Sequence, residues 1–312
     1  MATQSRHKVI FNPAAARGKA GGRVVEIERL LKENGIAYEL VRTERPLHAV
    51  ELAARAGAEG FDVAVAAGGD GTANEVLNGL MRVREGGAKP PALGLLCIGR
   101  GNDFAYGAGV PVGLAEGCAL LARGERRWMD VGRFRGGDFP QGRYFGNGIG
   151  VGFDTIVGLE AAKMKWAHGF LGYVVGALKT MFLYYRAPLV AITFGGNTRE
   201  QKSLQISAMN GRRMGGTFYM TPEALNDDGQ LDLCIAGEPR RLQMLGLILK
   251  YMKGAQAGSP HILMGRSPAL EVRALEGGLA VHADGETMGV QVERLTIECL
   301  PRQVEVVSAG PP

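Results

Sequence analysis

Val63-Ala64-Val65-Ala66-Ala67-Gly68-Gly69-Asp70-Gly71-Thr72-Ala73-Asn74-Glu75-Val76 is the stretch around which the rest of the chain is organised. An apolar run of strand length ends in three glycines and an aspartate packed into four positions, and a helical pattern follows. Glycine accepts φ > 0 and lacks the Cβ that would obstruct a ligand, so peptide N–H groups in such a turn can approach an oxyanion closely. Thr72 suits the N-cap of the helix, with Glu75 three residues on completing a capping box. The helix start adds partial positive charge where a phosphate could rest. The plainer alternative is a tight strand–turn–helix with one solvated aspartate, which leaves the density of glycine unexplained.

Working outward, the first third alternates strands and helices. Val9-Ile10-Phe11 is a strand ending at Asn12-Pro13, and Ile27, Leu30 and Leu31 share one face of a helix. Tyr38–Val41 reads as a strand, Val50–Ala56 as a helix, Leu93–Leu96 as a strand and Gly113–Ala122 as a helix. This alternation predicts a mostly parallel sheet covered on both faces, with ligands at the carboxyl ends of the strands. Beyond Trp128 strand-like runs dominate: Trp128–Arg133, Tyr144–Asn147, Leu189–Phe194, Leu204–Met209, Leu231–Ile235, Leu270–Val272, Leu279–Ala283, Val292–Ile297 and Val304–Val307. Helices are expected at Thr155–Trp166, Gly172–Tyr185 and Leu242–Met252. The expectation is α/β plus β: a nucleotide-binding α/β domain over 1–130, and an antiparallel β-sandwich substrate domain over 131–301, with a cleft between them. The last strand, near 302–312, could rejoin the first domain; the pattern leaves that open.

Composition narrows the function classes. The 312 residues are 46% hydrophobic and 21% charged, as in an ordinary globular protein. The net charge of +5 fits anionic partners such as nucleotides or acidic lipid surfaces, and equally an ordinary solvated face. No aromatic RNA-binding signature or zinc-finger spacing is present, so nucleic acid is not expected. Cys97, Cys118, Cys234 and Cys299 are scattered, which points to reduced thiols in the cytoplasm. The first residues lack the apolar run of a signal peptide. The most apolar candidate helix, Phe170–Tyr185, is too short to span a bilayer and carries Lys179, so no transmembrane segment is expected. Neither G-x-x-x-x-G-K-[ST] nor a G-x-G-x-x-G after the first strand occurs, leaving Gly68–Thr72 as the phosphate cradle.

Phe11-Asn12-Pro13, Gly68–Val76 and Gly101-Asn102-Asp103-Phe104-Ala105 together resemble the diacylglycerol kinase/sphingosine kinase-type lipid kinases, the bacterial soluble branch above all. The likeness continues in order through Phe145-Gly146-Asn147, Gly152-Phe153-Asp154, Pro222–Gly229 and Asp284-Gly285-Glu286. The GGDGT turn alone is shared with NAD kinases and phosphofructokinases; the ordered set is far more specific. The resemblance implies a phosphofructokinase-like first domain, a β-sandwich second domain, and ATP- and Mg²⁺-dependent phosphorylation of a lipid hydroxyl at the inner face of the membrane. It implies ATP contacts from Asn12, Pro13, Thr43, Gly68, Gly69, Asp70, Gly71 and Thr72, with Asn74 and Glu75 supporting the phosphate loop. It implies a catalytic set of Asp284, Glu286 and Asp70. It further implies a structural Mg²⁺ held by Asp228 and the carbonyls of Leu225 and Gln230.

Some readings stand beside these. A carboxylate on the tight Asp284-Gly285-Glu286 turn could accept the hydroxyl proton, though Asp-Gly also marks an ordinary hairpin. Asn226-Asp227-Asp228-Gly229 is likewise a plain turn or a hard-cation site. His48 resembles a position beside the nucleotide, and His282 shares a strand face with Asp284. Three departures from the family pattern bear on nucleotide affinity rather than fold: Arg100 stands where threonine is usual, Leu47 where glycine is common, and Ala14-Ala15-Ala16 where serine is frequent. A guanidinium at Arg100 could bind a phosphate or fill its place. The alternatives are a NAD kinase-like kinase of a soluble hydroxyl and a non-catalytic nucleotide- or lipid-binding relative. The acceptor lipid is not legible, and a homodimer stays open.

Overall fold

The computed structural model describes residues 5–163 and 187–310. They form two compact units, Met1–Val131 with Pro301–Pro312, and Gly132–Leu300.

The first unit is built on parallel strands β1 (Arg6–Phe11), β2 (Ala37–Arg42), β3 (Val63–Gly68) and β4 (Ala92–Cys97), ordered β2-β1-β3-β4. Every residue of β3 and β4 is buried, as expected of strands covered on both faces. The covering helices are α1 (Val24–Glu33), α2 (His48–Ala56), α3 (Asp70–Glu85), the short α4 (Asp103–Gly107) and α5 (Leu114–Arg123). A 3₁₀ segment, Ala15–Arg23, precedes α1, whose Ile27, Leu30 and Leu31 are buried as their spacing predicts. Helices α2 and α3 approach so closely that a Cβ on Gly79 would collide with the Val50 carbonyl. Within the final strand, β16 (Arg294–Val307), Val306 pairs in parallel with Leu93 of β4.

The second unit is an antiparallel sandwich. One sheet runs β12 (Ile262–Ser267), β11 (Leu231–Ala236), β10 (Gln205–Met209), β7 (Gly148–Gly152), β14 (Leu279–Ala283), β15 (Glu286–Val292). The other joins β16 to β13 (Ala269–Ala274), β8 (Leu189–Phe194) and β9 (Asn197–Lys202), with β5 (Arg126–Gly136) and β6 (Phe139–Phe145) alongside. Alternate residues of both sheets, among them Ile149, Val151, Ile206, Leu233, Val272, Val281 and Ile297, meet in one core. On the opposite face of the first sheet, Cys234, Ser207, Gly150 and His282 stand in register across four strands. Among the described residues this unit carries two helices, α6 (Phe153–Lys163) and α7 (Arg241–Lys253).

The elements differ from expectation in places. Val292–Ile297 and Val304–Val307 belong to a single fourteen-residue strand, β16. The glycine-rich β7 and the polar β9 carry no strand signal, because glycine and charged residues are depleted in strands, and β12 and β15 are further strands beyond those expected. The first helix of the second unit starts at Phe153, ahead of Thr155. The expected helix Gly172–Tyr185 lies outside the described residues, and among those described no helix is long and apolar enough to cross a membrane.

Candidate active site

Parallel pairing brings the carboxyl ends of four strands to one edge of the first unit. Phe11 is opposite Arg42 and Ala67, and Gly68 is opposite Cys97. Backbone bonds lock the turns that follow: Thr43 N–H donates to the Phe11 carbonyl (2.9 Å), Asn12 N–H to Ala67 (3.0 Å), and the N–H groups of Ile98 and Gly99 to Gly68 (2.8 and 3.1 Å). Strand order reverses between β1 and β3, the switch point at which open parallel sheets hold ligands. The Asn12 side-chain amide spans that point, donating to the Thr72 hydroxyl at 2.9 Å. The structure therefore assembles Asn12, Pro13, Thr43 and Gly68–Thr72 on one edge.

Within the turn, two details depart from the sequence reading. Helix α3 begins at Asp70 with Gly69 as its N-cap, so Thr72 is a buried first-turn residue and not the cap. Its hydroxyl is committed to Asn12 instead. Nor do Gly68 and Gly69 adopt positive φ. They are required by crowding: a Cβ on Gly68 would strike the Thr72 side chain, and one on Gly69 would lie 3.1 Å from the Cα of Gly99. Asp70 accepts a bond from the Phe104 N–H (2.9 Å), and a Cβ on Gly101 would press on the Asp70 and Asp103 carboxylates at 3.0 and 3.2 Å. Gly101 thus fits between two acids, a role its place in the Gly101–Ala105 stretch did not disclose.

Asn74 is fully buried and bonded to Asn78. Glu75 does not form a capping box: its two oxygens accept the N–H groups of Leu47 and Ala49 (3.0 and 3.1 Å), holding the start of α2. Leu47 there has φ +63°, which explains why glycine suits that position. His48 accepts the Glu44 N–H at 3.1 Å. Arg100 is exposed in the bend after β4, and its guanidinium has no partner among the described residues.

In the second unit, Asp284 and Glu286 sit on the hairpin between β14 and β15 and differ sharply. Asp284 has φ +44° and is buried. Its carboxylate accepts three backbone bonds, from Gly146 (2.8 Å), Asn147 (3.0 Å) and Gly148 (3.0 Å). Glu286 is partly exposed and pairs with Arg143 of β6 at 2.5 Å. The Arg143 guanidinium, nearly buried, also stacks over Phe139. Arg143 went unnoticed in the sequence, where a lone arginine in a strand carries no signal. Behind the hairpin, His282 Nε2 lies 3.1 Å from Asp154 Oδ2. Burial pushes the imidazole towards its neutral form, yet the Asp154 carboxylate, reinforced by Asp284, outweighs it and raises the pKa above 6.5. Gly150 makes room, since a Cβ there would meet both side chains. The four cysteines are free and buried, and burial pushes the Cys234 thiol up to about 11, against the pull of the Tyr251 hydroxyl.

The turn holding Leu225, Asp228 and Gln230 is exposed at its tip, where Asp228 accepts the Gln230 N–H at 3.0 Å. Nearby, Asp232 Oδ2 is buried and has no hydrogen-bond partner among the described residues. Burial raises the Asp232 pKa; its 2.9 Å pair with Arg266 opposes the rise, and Asp228 and Glu223 add to it. Among the described residues no three His, Cys, Asp or Glu side chains come together as a metal-ion site, so any cation here would rest on Asp228 and backbone carbonyls.

Residues 6–134 match the diacylglycerol kinase catalytic domain, and residues 147–308 match the YegS C-terminal NAD kinase beta sandwich-like domain. The chain belongs to this diacylglycerol kinase-type family. It is 34% identical to a "Probable lipid kinase YegS-like" protein of Stenotrophomonas maltophilia (strain K279a), over 89% of each chain. It is 28% identical to a diacylglycerol kinase of Staphylococcus aureus (strain bovine RF122 / ET3-1), over 92% of this chain and 87% of that one. A diacylglycerol kinase crystal structure from Bacillus anthracis str. Sterne shares the fold, with TM-score 0.72 at 19% identity over 99% of this chain and 98% of that one.

Proposed function

We propose that this kinase transfers the γ-phosphoryl group of ATP, with Mg²⁺, to a hydroxyl of diacylglycerol or a related lipid, sphingoid bases included, at the inner face of the membrane. The observation that carries the nucleotide half is the joining of two strand-end turns by the Asn12–Thr72 bond at the switch point of a parallel sheet. Asn12, Pro13, Thr43, Gly68, Gly69, Gly71 and Thr72 line the donor site. The α3 N-terminus would face the phosphates, Asp70 would help to hold their Mg²⁺, and the exposed Arg100 would meet the polyphosphate. Asn74 and Glu75 act through the loops they hold.

Glu286 accepts the proton that the lipid hydroxyl loses as its oxygen bonds to the γ-phosphorus and the bond to the ADP oxygen breaks. The choice of Glu286 over Asp284 follows from lone pairs. Both Asp284 oxygens already accept backbone N–H bonds, whereas Glu286 reaches solvent. Asp284 holds the hairpin in shape, and Arg143 orients Glu286. Asp228 and the carbonyls of Leu225 and Gln230 would hold a structural Mg²⁺, and magnesium brought with ATP would spread charge on the transferred phosphoryl group.

The test is transfer of labelled γ-phosphate from ATP·Mg²⁺ to a panel of diacylglycerols, sphingoid bases and related lipids, with NAD⁺ as the soluble comparison. Labelling of at least one lipid, abolished by chelation, is expected. Labelling of NAD⁺ alone, or of nothing, overturns the reading.

A further inference from the structure

Helix α7 carries two apolar faces. Met244 and Leu247 are buried, and Tyr251 reaches back to Cys234 at 3.5 Å. On the other side Leu242, Leu245 and Leu249, spaced i, i+3, i+7, remain 81%, 40% and 60% exposed. A surface helix ordinarily presents polar residues there. Gly246 lies beside this stripe, and among the described residues nothing lies within 4 Å of where its Cβ would be, so packing against them does not demand a glycine. The charges are one-sided: Arg240, Arg241, Lys250 and Lys253 are exposed at the two ends of the helix, and no acidic residue occurs between Pro239 and Leu270.

We infer that the Leu242–Leu245–Leu249 face of this helix is a docking surface for an anionic lipid bilayer, with the leucines entering the headgroup–acyl boundary and the flanking cations meeting lipid phosphates. An interfacial helix needs these two features, an apolar stripe and a cationic border. Charge selects the bilayer over a second copy of the chain. A two-fold pairing of this helix would set Arg240 and Arg241 against Lys250 and Lys253 of the copy, with no acid in the segment to offset them. The inference deepens the lipid-kinase reading but is measured without ATP, so the two can fail separately.

The experiment is sedimentation of the full chain with phosphatidylcholine vesicles, with and without phosphatidylglycerol. The unmodified chain is expected to bind the anionic vesicles and to release as salt is raised. Leu242→Gln/Leu245→Gln/Leu249→Gln retains helix propensity and is expected to weaken binding about tenfold or more. Arg240→Gln/Arg241→Gln/Lys253→Gln is expected to do the same at low salt, at about fivefold per charge. Val25→Gln, at a residue 71% exposed on α1 among glutamates, is the control and should bind as the parent does. Three outcomes overturn the inference. The leucine variant may sediment with anionic vesicles as the parent does. Loss of thermal stability with vesicle binding kept would make another segment of the chain the occupant. Or the variant may convert a dimer to a monomer without changing vesicle binding, which would make a second copy the occupant.

Discussion

The Gly68–Thr72 turn and the Asp284-Gly285-Glu286 hairpin look alike in sequence, each an acid flanked by glycine at a strand end, yet they are built on opposite principles. In the first unit the backbone is relaxed and crowding makes glycine necessary, while Asp70 stands at the first turn of a sixteen-residue helix. In the second unit the acid itself takes the strained conformation, φ +44°, and its carboxylate is spent on three backbone amides. Asp284 shapes its turn by accepting three backbone N–H groups, a role that its neighbours in sequence do not disclose.

The largest effect separates Asp284 from Glu286. Glu286→Gln is expected to lower turnover by about 10²–10⁴-fold with an unchanged unfolding midpoint, read by steady-state transfer and chemical denaturation. Unaltered turnover would take the proton-acceptor role away from it. Asp284→Asn is expected instead to destabilise the second unit by about 3 kcal/mol, since an amide NH₂ would face backbone N–H donors. A variant of parental stability and no activity would return the chemical role to Asp284.

In the first unit, Gly68→Ala forces a methyl group into the Thr72 side chain. It should cost about 1–3 kcal/mol of stability and weaken ATP binding with it, measured by denaturation and calorimetric titration. Binding at parental strength would mean that the Asn12–Thr72 bridge does not shape the donor site.

Much of this was legible beforehand and some was not. The ordered motifs and the strand–helix alternation pointed to the α/β unit, because buried parallel strands are unmistakable apolar runs. The β7 strand was hidden because Gly150 must vacate space for Asp154 and His282, and a glycine required by a distant pair carries no local strand signal. The role of Glu75 was misread for a similar reason: its partners, Leu47 and Ala49, are 28 and 26 residues away. Spacing rules see only one helix.

Two smaller tests sharpen the contrast further. The His282 pKa is raised in the folded state, so its stabilisation is complete below the unfolded value of 6.5 and is lost as pH rises through the raised value. The thermal midpoint of the second unit should fall across that window, and His282→Gln should flatten the fall. A midpoint that rises there would contradict the Asp154–His282 pair. Smallest of all, Leu47→Gly removes a left-handed strain at φ +63° and should be neutral to about 1 kcal/mol stabilising, after the added chain entropy of glycine. A clear loss of stability would mean that the exposed Leu47 side chain makes contacts that outweigh the strain.

The most direct measurement is calorimetric titration of ATP·Mg²⁺ into the parent, Thr72→Val and Glu286→Gln, paired with lipid phosphorylation by each. The account predicts that Glu286→Gln binds the nucleotide as the parent does but transfers phosphate about 10²–10⁴-fold more slowly, while Thr72→Val binds more weakly. Parental binding by Thr72→Val, or nucleotide binding lost in Glu286→Gln, would contradict the assignment of donor binding to the first unit and proton transfer to the second.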